Sequence, residues 1–205
     1  MNNIVIIEDN YDHFQIIGKL IADEQNDVFP KNINSGQELS DFLTPIRAMI
    51  DTTDATTRQN RKNEFFESDN LKQSNQKISI SLYIIDYRLL ADTNTINGLK
   101  FCEYVEEIRE GKTPAILLTI LDLDRVDVLT QRNEFTNKYP NSRIEFERKT
   151  QNKQHKIIKN WDENDKTINE IVTNSSDLNT RLKNTINRLC PQNDNSIRLE
   201  DVYEN

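Results

Sequence analysis

Several short apolar runs in this chain lead into a residue that can do chemistry. Ile4-Val5-Ile6-Ile7 runs into the acids Glu8 and Asp9, and Tyr83-Ile84-Ile85 into Asp86. Ala115-Ile116-Leu117-Leu118 runs into Thr119, and Lys149 follows Ile144-Glu145-Phe146 by three residues. Neighbouring carboxylates repel, and one takes up a proton unless a cation sits among them. Hard oxygen ligands that leave room for water suit Mg²⁺. Mg²⁺ in turn stabilises the oxygens of a transferring phosphoryl group. A lysine adds a point charge for phosphate. A threonine hydroxyl can hydrogen-bond a phosphoryl oxygen, and a carboxylate can itself be the nucleophile, forming an aspartyl phosphate. One polar residue at one strand end is an ordinary loop start. Mutually compatible groups at four ends of five carry more weight.

These groups can meet only if the runs are neighbouring strands. The first run, Ile4-Val5-Ile6-Ile7, is short, continuous and rich in β-branched residues, as strands buried on both faces are; Tyr83–Ile85 and Ala115–Leu118 are clear strands and Ile144-Glu145-Phe146 a short one. Between them lie helical stripes: Phe14, Ile17, Leu20 and Ile21; Leu39, Phe42, Leu43, Ile46 and Ile50, started at Ser35-Gly36; and Phe101, Cys102, Val105 and Ile108, from Gly98. Val126, Leu129 and Phe135 mark another helix. A last stripe runs from Ile168 through Leu182 and Ile186 to Leu189 and stops at Pro191. Val28–Ile33 reads as a weaker strand, and Ile78–Ile85 as the one that ends before Asp86. Alternation of five strands with five helices implies an α/β fold with a parallel sheet. In such sheets ligands bind beyond the carboxyl ends of the strands, where the reactive residues stand.

Residues 1–190 read as one domain carrying two polar insertions, at about 51–77 and 151–166, followed by an acidic tail at 191–205. The first insertion fits a flexible segment or a solvated helical extension, with Phe65, Phe66 and Leu71 as its few apolar groups. In the second, Ile157, Ile158 and Trp161 suggest a small apolar anchor.

The 205 residues carry a net charge of -8, with 35% hydrophobic and 29% charged residues, so the surface is strongly polar and opposes direct DNA binding. The densest basic group, Arg148, Lys149, Lys153, Lys156 and Lys159, reads as a solvated loop. No run approaches the roughly 18 apolar residues of a membrane helix. The start, MNNIVIIEDN, lacks the basic and long apolar regions of a secretory signal. The two cysteines, Cys102 and Cys190, make neither a disulfide framework nor a metal cluster, so a reducing cytoplasm is the expected location. Cys102 reads as core, and His13 as solvent-facing near the first helix.

Taken by position, the acid pair Glu8-Asp9, Tyr83-Ile84-Ile85-Asp86, Gly98, Leu117-Leu118-Thr119, Phe146 and Lys149 resemble the receiver domain of two-component response regulators. The resemblance covers roughly 1–44, 78–150 and 166–190. It implies a flavodoxin-like sheet in the order 2-1-3-4-5. It also implies that Asp86 accepts a phosphoryl group from a phosphohistidine donor, a histidine kinase or histidine phosphotransfer protein. Asp9 and Asp86 would ligate Mg²⁺ directly, Glu8 directly or through water, and the backbone carbonyl of Arg88 would complete the protein ligands. Lys149 would contact the phosphoryl group, Thr119 would close on it, and Phe146 would be the aromatic that rotates on activation. The implied output is contact with a downstream protein, with room for a homodimer, and no conventional enzyme activity beyond turnover of the chain's own phosphoryl group.

The chain departs from that family at Ile120, where a small residue is usual, at Thr150, where proline is common, and in the long segment between Asp86 and Gly98. These departures keep a second reading open: a pseudo-receiver that retains the fold and binds partners without turning over phosphate. A Mg²⁺-dependent phosphatase or nuclease on a related sheet is disfavoured, because Asp86-Tyr87-Arg88 lacks the second aspartate that such sites use.

Overall fold

The computed structural model describes residues 1–67, 72–73, 76–77, 79–89, 97–109, 112–119, 121, 123–149 and 175–191. The described elements are β1 (Asn2–Ile7), α1 (Tyr11–Ile21), β2 (Asn26–Phe29), α2 (Gly36–Asp51) and α3 (Ala55–Glu67). They continue with β3 (Lys72–Gln73), β4 (Gln76–Lys77), β5 (Leu82–Asp86), α4 (Asn97–Arg109) and β6 (Ala115–Thr119). The last are α5 (Val126–Lys138), β7 (Ile144–Arg148) and α6 (Ser175–Leu189). Five strands form one parallel sheet in the order β2-β1-β5-β6-β7. Counting only those strands in chain order, this is 2-1-3-4-5, the flavodoxin-like arrangement that the resemblance implies.

The central strands explain the sheet. Every residue of β5 and β6 is buried, as are Ile4–Ile7 of β1. Such runs have no solvent face, so helices must cover both sides. α1 packs with α6, and α2 packs with α3 and α4. Right-handed crossovers put those two groups on opposite faces, because the chain reverses its direction across the sheet after β2. Cys102 lies in the core, as expected.

Two boundaries differ from the sequence reading. β2 occupies Asn26–Phe29 rather than Val28–Ile33, because Pro30 has no N–H to give to the ladder and Asn32 sits at φ 61°. β5 begins at Leu82; the residues before it follow β1 through bonds from the Ser81 N–H to the Asn3 carbonyl (2.9 Å) and from the Asn3 amide to the Ser79 carbonyl (2.9 Å).

The 51–77 insertion resolves into a docked helix and a small antiparallel ribbon of β3 and β4, which gives six helices among the described residues rather than five. Arg58 and Arg61 of α3 bond the Thr52 carbonyl and hydroxyl and the Ala48 carbonyl at the end of α2. Phe65 is buried between Phe42 of α2 (ring centroids 6.1 Å) and Phe101 of α4 (5.7 Å), and Phe101 stands edge-on to Tyr83 of β5 (6.0 Å). Lys62 is also buried, lying 4.9 Å from the Tyr104 ring centroid and paired with Glu107. Leu71, the anchor at 157–161 and the acidic tail from residue 192 lie outside the described residues. No helix of the described residues is long and apolar enough to cross a membrane.

Truncating a buried phenylalanine typically costs about 3–5 kcal/mol. Phe65→Ala is therefore expected to lower unfolding stability by about 3 kcal/mol in urea titration. A loss below about 0.5 kcal/mol, the level of a surface substitution, would show that α3 is not docked.

Candidate functional site

The strand register brings the reactive residues together. Ile7 pairs with Ile85, so Glu8 comes alongside Asp86. Asp86 pairs with Leu118, and Thr119 pairs with Arg148, which puts Lys149 one step beyond the sheet at the same rim. The Lys149 N–H donates to the Thr119 carbonyl at 2.8 Å, and the Tyr87 N–H to the Leu118 carbonyl at 2.7 Å, tying the loops just past the strand ends to their neighbours. Gly98 sets the opposite wall. A Cβ there would lie 2.0 Å from the Asp86 carbonyl oxygen and 2.9 Å from the Tyr87 Cα, so only glycine lets α4 start this close to the end of β5.

At the centre is one ammonium. Lys149 is 2% exposed, and its Nζ lies 2.6 Å from Glu8 Oε2, 2.6 Å from Asp86 Oδ1 and 3.3 Å from His13 Nδ1. The remaining carboxylate oxygens are held by backbone: the Asn10 N–H donates to Glu8 Oε1 (3.1 Å) and the Arg88 N–H to Asp86 Oδ2 (3.0 Å). Burial of Lys149 sets it apart from a solvated basic loop; Lys153, Lys156 and Lys159 of that group lie outside the described residues.

One cation serves two buried carboxylates, and they respond differently. Burial works against the Glu8 charge, but Lys149 outweighs it and holds the carboxyl at about 2. At Asp86 burial is the largest effect; Lys149 opposes it, Glu8 and Asp9 add repulsion, and the carboxyl is pushed up to about 7. Burial also disfavours the charge on Lys149, but Asp86 and Glu8 raise its pKa above the ordinary lysine value.

Oxygens of Glu8, Asp9 and Asp86 all lie within 4.8 Å of one another, a group able to hold a metal ion. Ionised, the three carboxylates and one ammonium sum to two negative charges, which a hard dication balances. The donor set therefore fits Mg²⁺.

Thr119 is buried, and its hydroxyl oxygen accepts the Leu121 N–H at 2.9 Å. The Phe146 ring stands edge-on to Tyr87 (centroids 6.4 Å), with the Arg132 guanidinium 5.4 Å from its centroid. Tyr87, next to Asp86, donates its hydroxyl to Gln131 of α5 at 2.9 Å. Arg88 is exposed and meets the site through its backbone. Ile120, Thr150 and the segment 90–96 lie outside the described residues.

His13 is the residue that the sequence reading misplaced. It is 6% exposed, not solvent-facing, and it touches Lys149. Asn10 caps α1 by accepting the His13 N–H at 3.0 Å, which puts the histidine one turn before Ile17 on the buried stripe. That i, i+4 spacing was the available signal.

Compared with known protein families, with curated proteins and with solved structures, the chain matches none. The flavodoxin-like fold and the acidic cluster are consistent with a receiver domain.

The native Asp86 keeps its proton up to about pH 7, whereas an ordinary aspartate releases it near 3.8. The native state thus binds more protons than the unfolded chain between those values, so stability falls as pH rises through that window and stays lowered above it. Glu8 acts oppositely, adding stability above its ordinary 4.5 that is lost as pH falls towards about 2. Asp86→Asn, without divalent cations, is expected to exceed wild-type stability at pH 8 by roughly 2 kcal/mol. The gain should shrink towards pH 5 in denaturant titrations. A difference that does not change with pH would contradict this account of the site.

Proposed function

We propose that this chain is a receiver that takes a phosphoryl group onto Asp86 from a phosphohistidine donor; Asp9 and Asp86, Glu8 directly or through water, and the Arg88 carbonyl would hold Mg²⁺. One observation carries the reading: a buried ammonium bridges carboxylates from two adjacent strand ends, with a third carboxylate beside them. A structural ion pair needs one acid for each base. Two acids on one lysine and a third alongside leave a charge deficit suited to a dication.

In the transfer, an Asp86 carboxylate oxygen attacks phosphorus. The P–O bond forms as the P–N bond breaks, and the electron pair returns to the donor imidazole, which becomes neutral or takes a proton from water. The bound dication supplies charge neutralisation for the phosphoryl oxygens. Lys149 turns one N–H from Asp86 Oδ1 to a phosphoryl oxygen. Because the Thr119 oxygen accepts from Leu121, its hydroxyl proton is available to donate to another.

Response at a distance runs through Tyr87. It is covalently next to Asp86, bonded to α5 through Gln131 and edge-on to Phe146. Addition of about 1.5 to 2 negative charges at Asp86 draws on Thr119 and Phe146 and alters the surface of α5, β7 and α6. That surface exposes Val126 (80%) and Leu129 (38%) on α5, the kind of apolar foothold a downstream protein uses. Arg181–Glu147 and Arg188–Glu145 pairs lace β7 to α6 beside it.

The second reading, an interaction module without phosphoryl turnover, is favoured by the branched Ile120 directly after Thr119. One experiment separates them. With Mg²⁺ and acetyl phosphate, intact mass is expected to show one hydroxylamine-labile phosphoryl group on the wild type and none on Asp86→Asn. No addition to the wild type, or equal labelling of both proteins, would overturn the receiver reading in favour of the module.

A further inference from the structure

The phosphoryl-transfer reading assigns work to Lys149 but leaves His13 unexplained. His13 is buried, and its Nε2 has no hydrogen-bond partner among the described residues. A buried polar atom without a partner is costly, so packing alone would favour an apolar side chain at this position. What the ring does offer is Nδ1, 3.3 Å from Lys149 Nζ; Glu8 Oε1 stands 3.7 Å from the same atom, too far for a hydrogen bond. An ammonium has three N–H groups and no acceptor, so Nδ1 accepts and the ring proton is assigned to Nε2.

The three acceptors around Nζ are then Glu8 Oε2, Asp86 Oδ1 and His13 Nδ1, one for each N–H. Two of them are built into a single turn. Asn10 gives its N–H to Glu8 Oε1 and accepts the His13 N–H with its side chain, so the β1–α1 junction holds Glu8 and His13 in fixed relation. Only the Asp86 bond must be exchanged when a phosphoryl group arrives. With the other two retained, the third N–H keeps its aim.

We propose that His13 is a positioning residue: by accepting one Lys149 N–H it directs the ammonium at Asp86 and at the oxygens of the entering phosphoryl group. It acts through Lys149 and touches neither the donor nor the phosphoryl group. The inference builds on the receiver reading, but the orientation of Lys149 can be measured without phosphoryl chemistry.

Three proteins test it: wild type, His13→Leu, which keeps bulk and removes the acceptor, and His13→Asn, whose Oδ1 stands close to where Nδ1 does. Two readouts are taken. The first is the ¹⁵Nζ–H signal of Lys149 in labelled protein, visible only while its protons are shielded from water. It is expected in wild type and His13→Asn and lost in His13→Leu. The second is affinity for fluoroberyllate, a phosphoryl mimic, with Mg²⁺. His13→Leu should weaken it about tenfold, the scale of one lost hydrogen bond to a charged group, and His13→Asn should restore it. Affinity for Mg²⁺ alone should stay within about twofold in both variants, because His13 is not a metal ligand. An unchanged ammonium signal in His13→Leu would overturn the proposal. So would Leu and Asn variants equally impaired in both fluoroberyllate and Mg²⁺ binding, the pattern of a merely structural role. A wild type that binds Mg²⁺ but no fluoroberyllate would sink the receiver reading instead, and the ammonium signal would still decide the role of His13.

Discussion

The site depends on Lys149 being shared. Its ammonium reaches carboxylates that arrive on β1 and β5, although the lysine itself follows β7, two strands away from β5 across the sheet. It therefore closes the rim over β6 and ties both sides of the sheet at their carboxyl ends. The same sharing leaves the charge unbalanced. Glu8 gains enough from Lys149 to stay ionised, and Asp86 does not. A buried carboxylate held near its ionisation point, beside a lysine and a second acid, is poised between a proton and a cation. A salt bridge that served folding alone would leave no such imbalance.

Backbone geometry, more than side-chain chemistry, makes this arrangement reproducible. Parallel register places Glu8, Asp86, Thr119 and Lys149 at successive positions along one rim. Gly98 lets the start of α4 press on the Asp86 carbonyl, and the Asn10 cap fixes the opening turn of α1. The reactive groups thus sit on short, heavily bonded junctions rather than on the long polar segments that interrupt the chain.

Much of this was legible in the sequence because strands buried on both faces announce themselves. Ile4–Ile7, Tyr83–Ile85 and Ala115–Leu118 have no polar alternation, and the polar residue that ends each run marks the rim. Other features were hidden for physical reasons. Ile33 prolonged the apparent β2, although Pro30 interrupts hydrogen bonding before it. Docking of α3 uses Phe65, buried Lys62, and Arg58 and Arg61 bonded to the end of α2, a set that does not register as an apolar stripe. His13 was passed over because a polar residue on a core stripe reads as an exception until its partner comes into view from 136 positions away.

The aromatic stack of Phe42, Phe65, Phe101 and Tyr83 has a geometric consequence. It adds a layer to one side of the sheet, where α3 lies over α2 and α4. A helix with its side chains is about 10–12 Å across. A visitor approaching over α3 is held off by that thickness, whereas α1 and α6 present themselves with no such shield among the described residues. Among the described residues, the two faces of the sheet are thus covered to unequal depth.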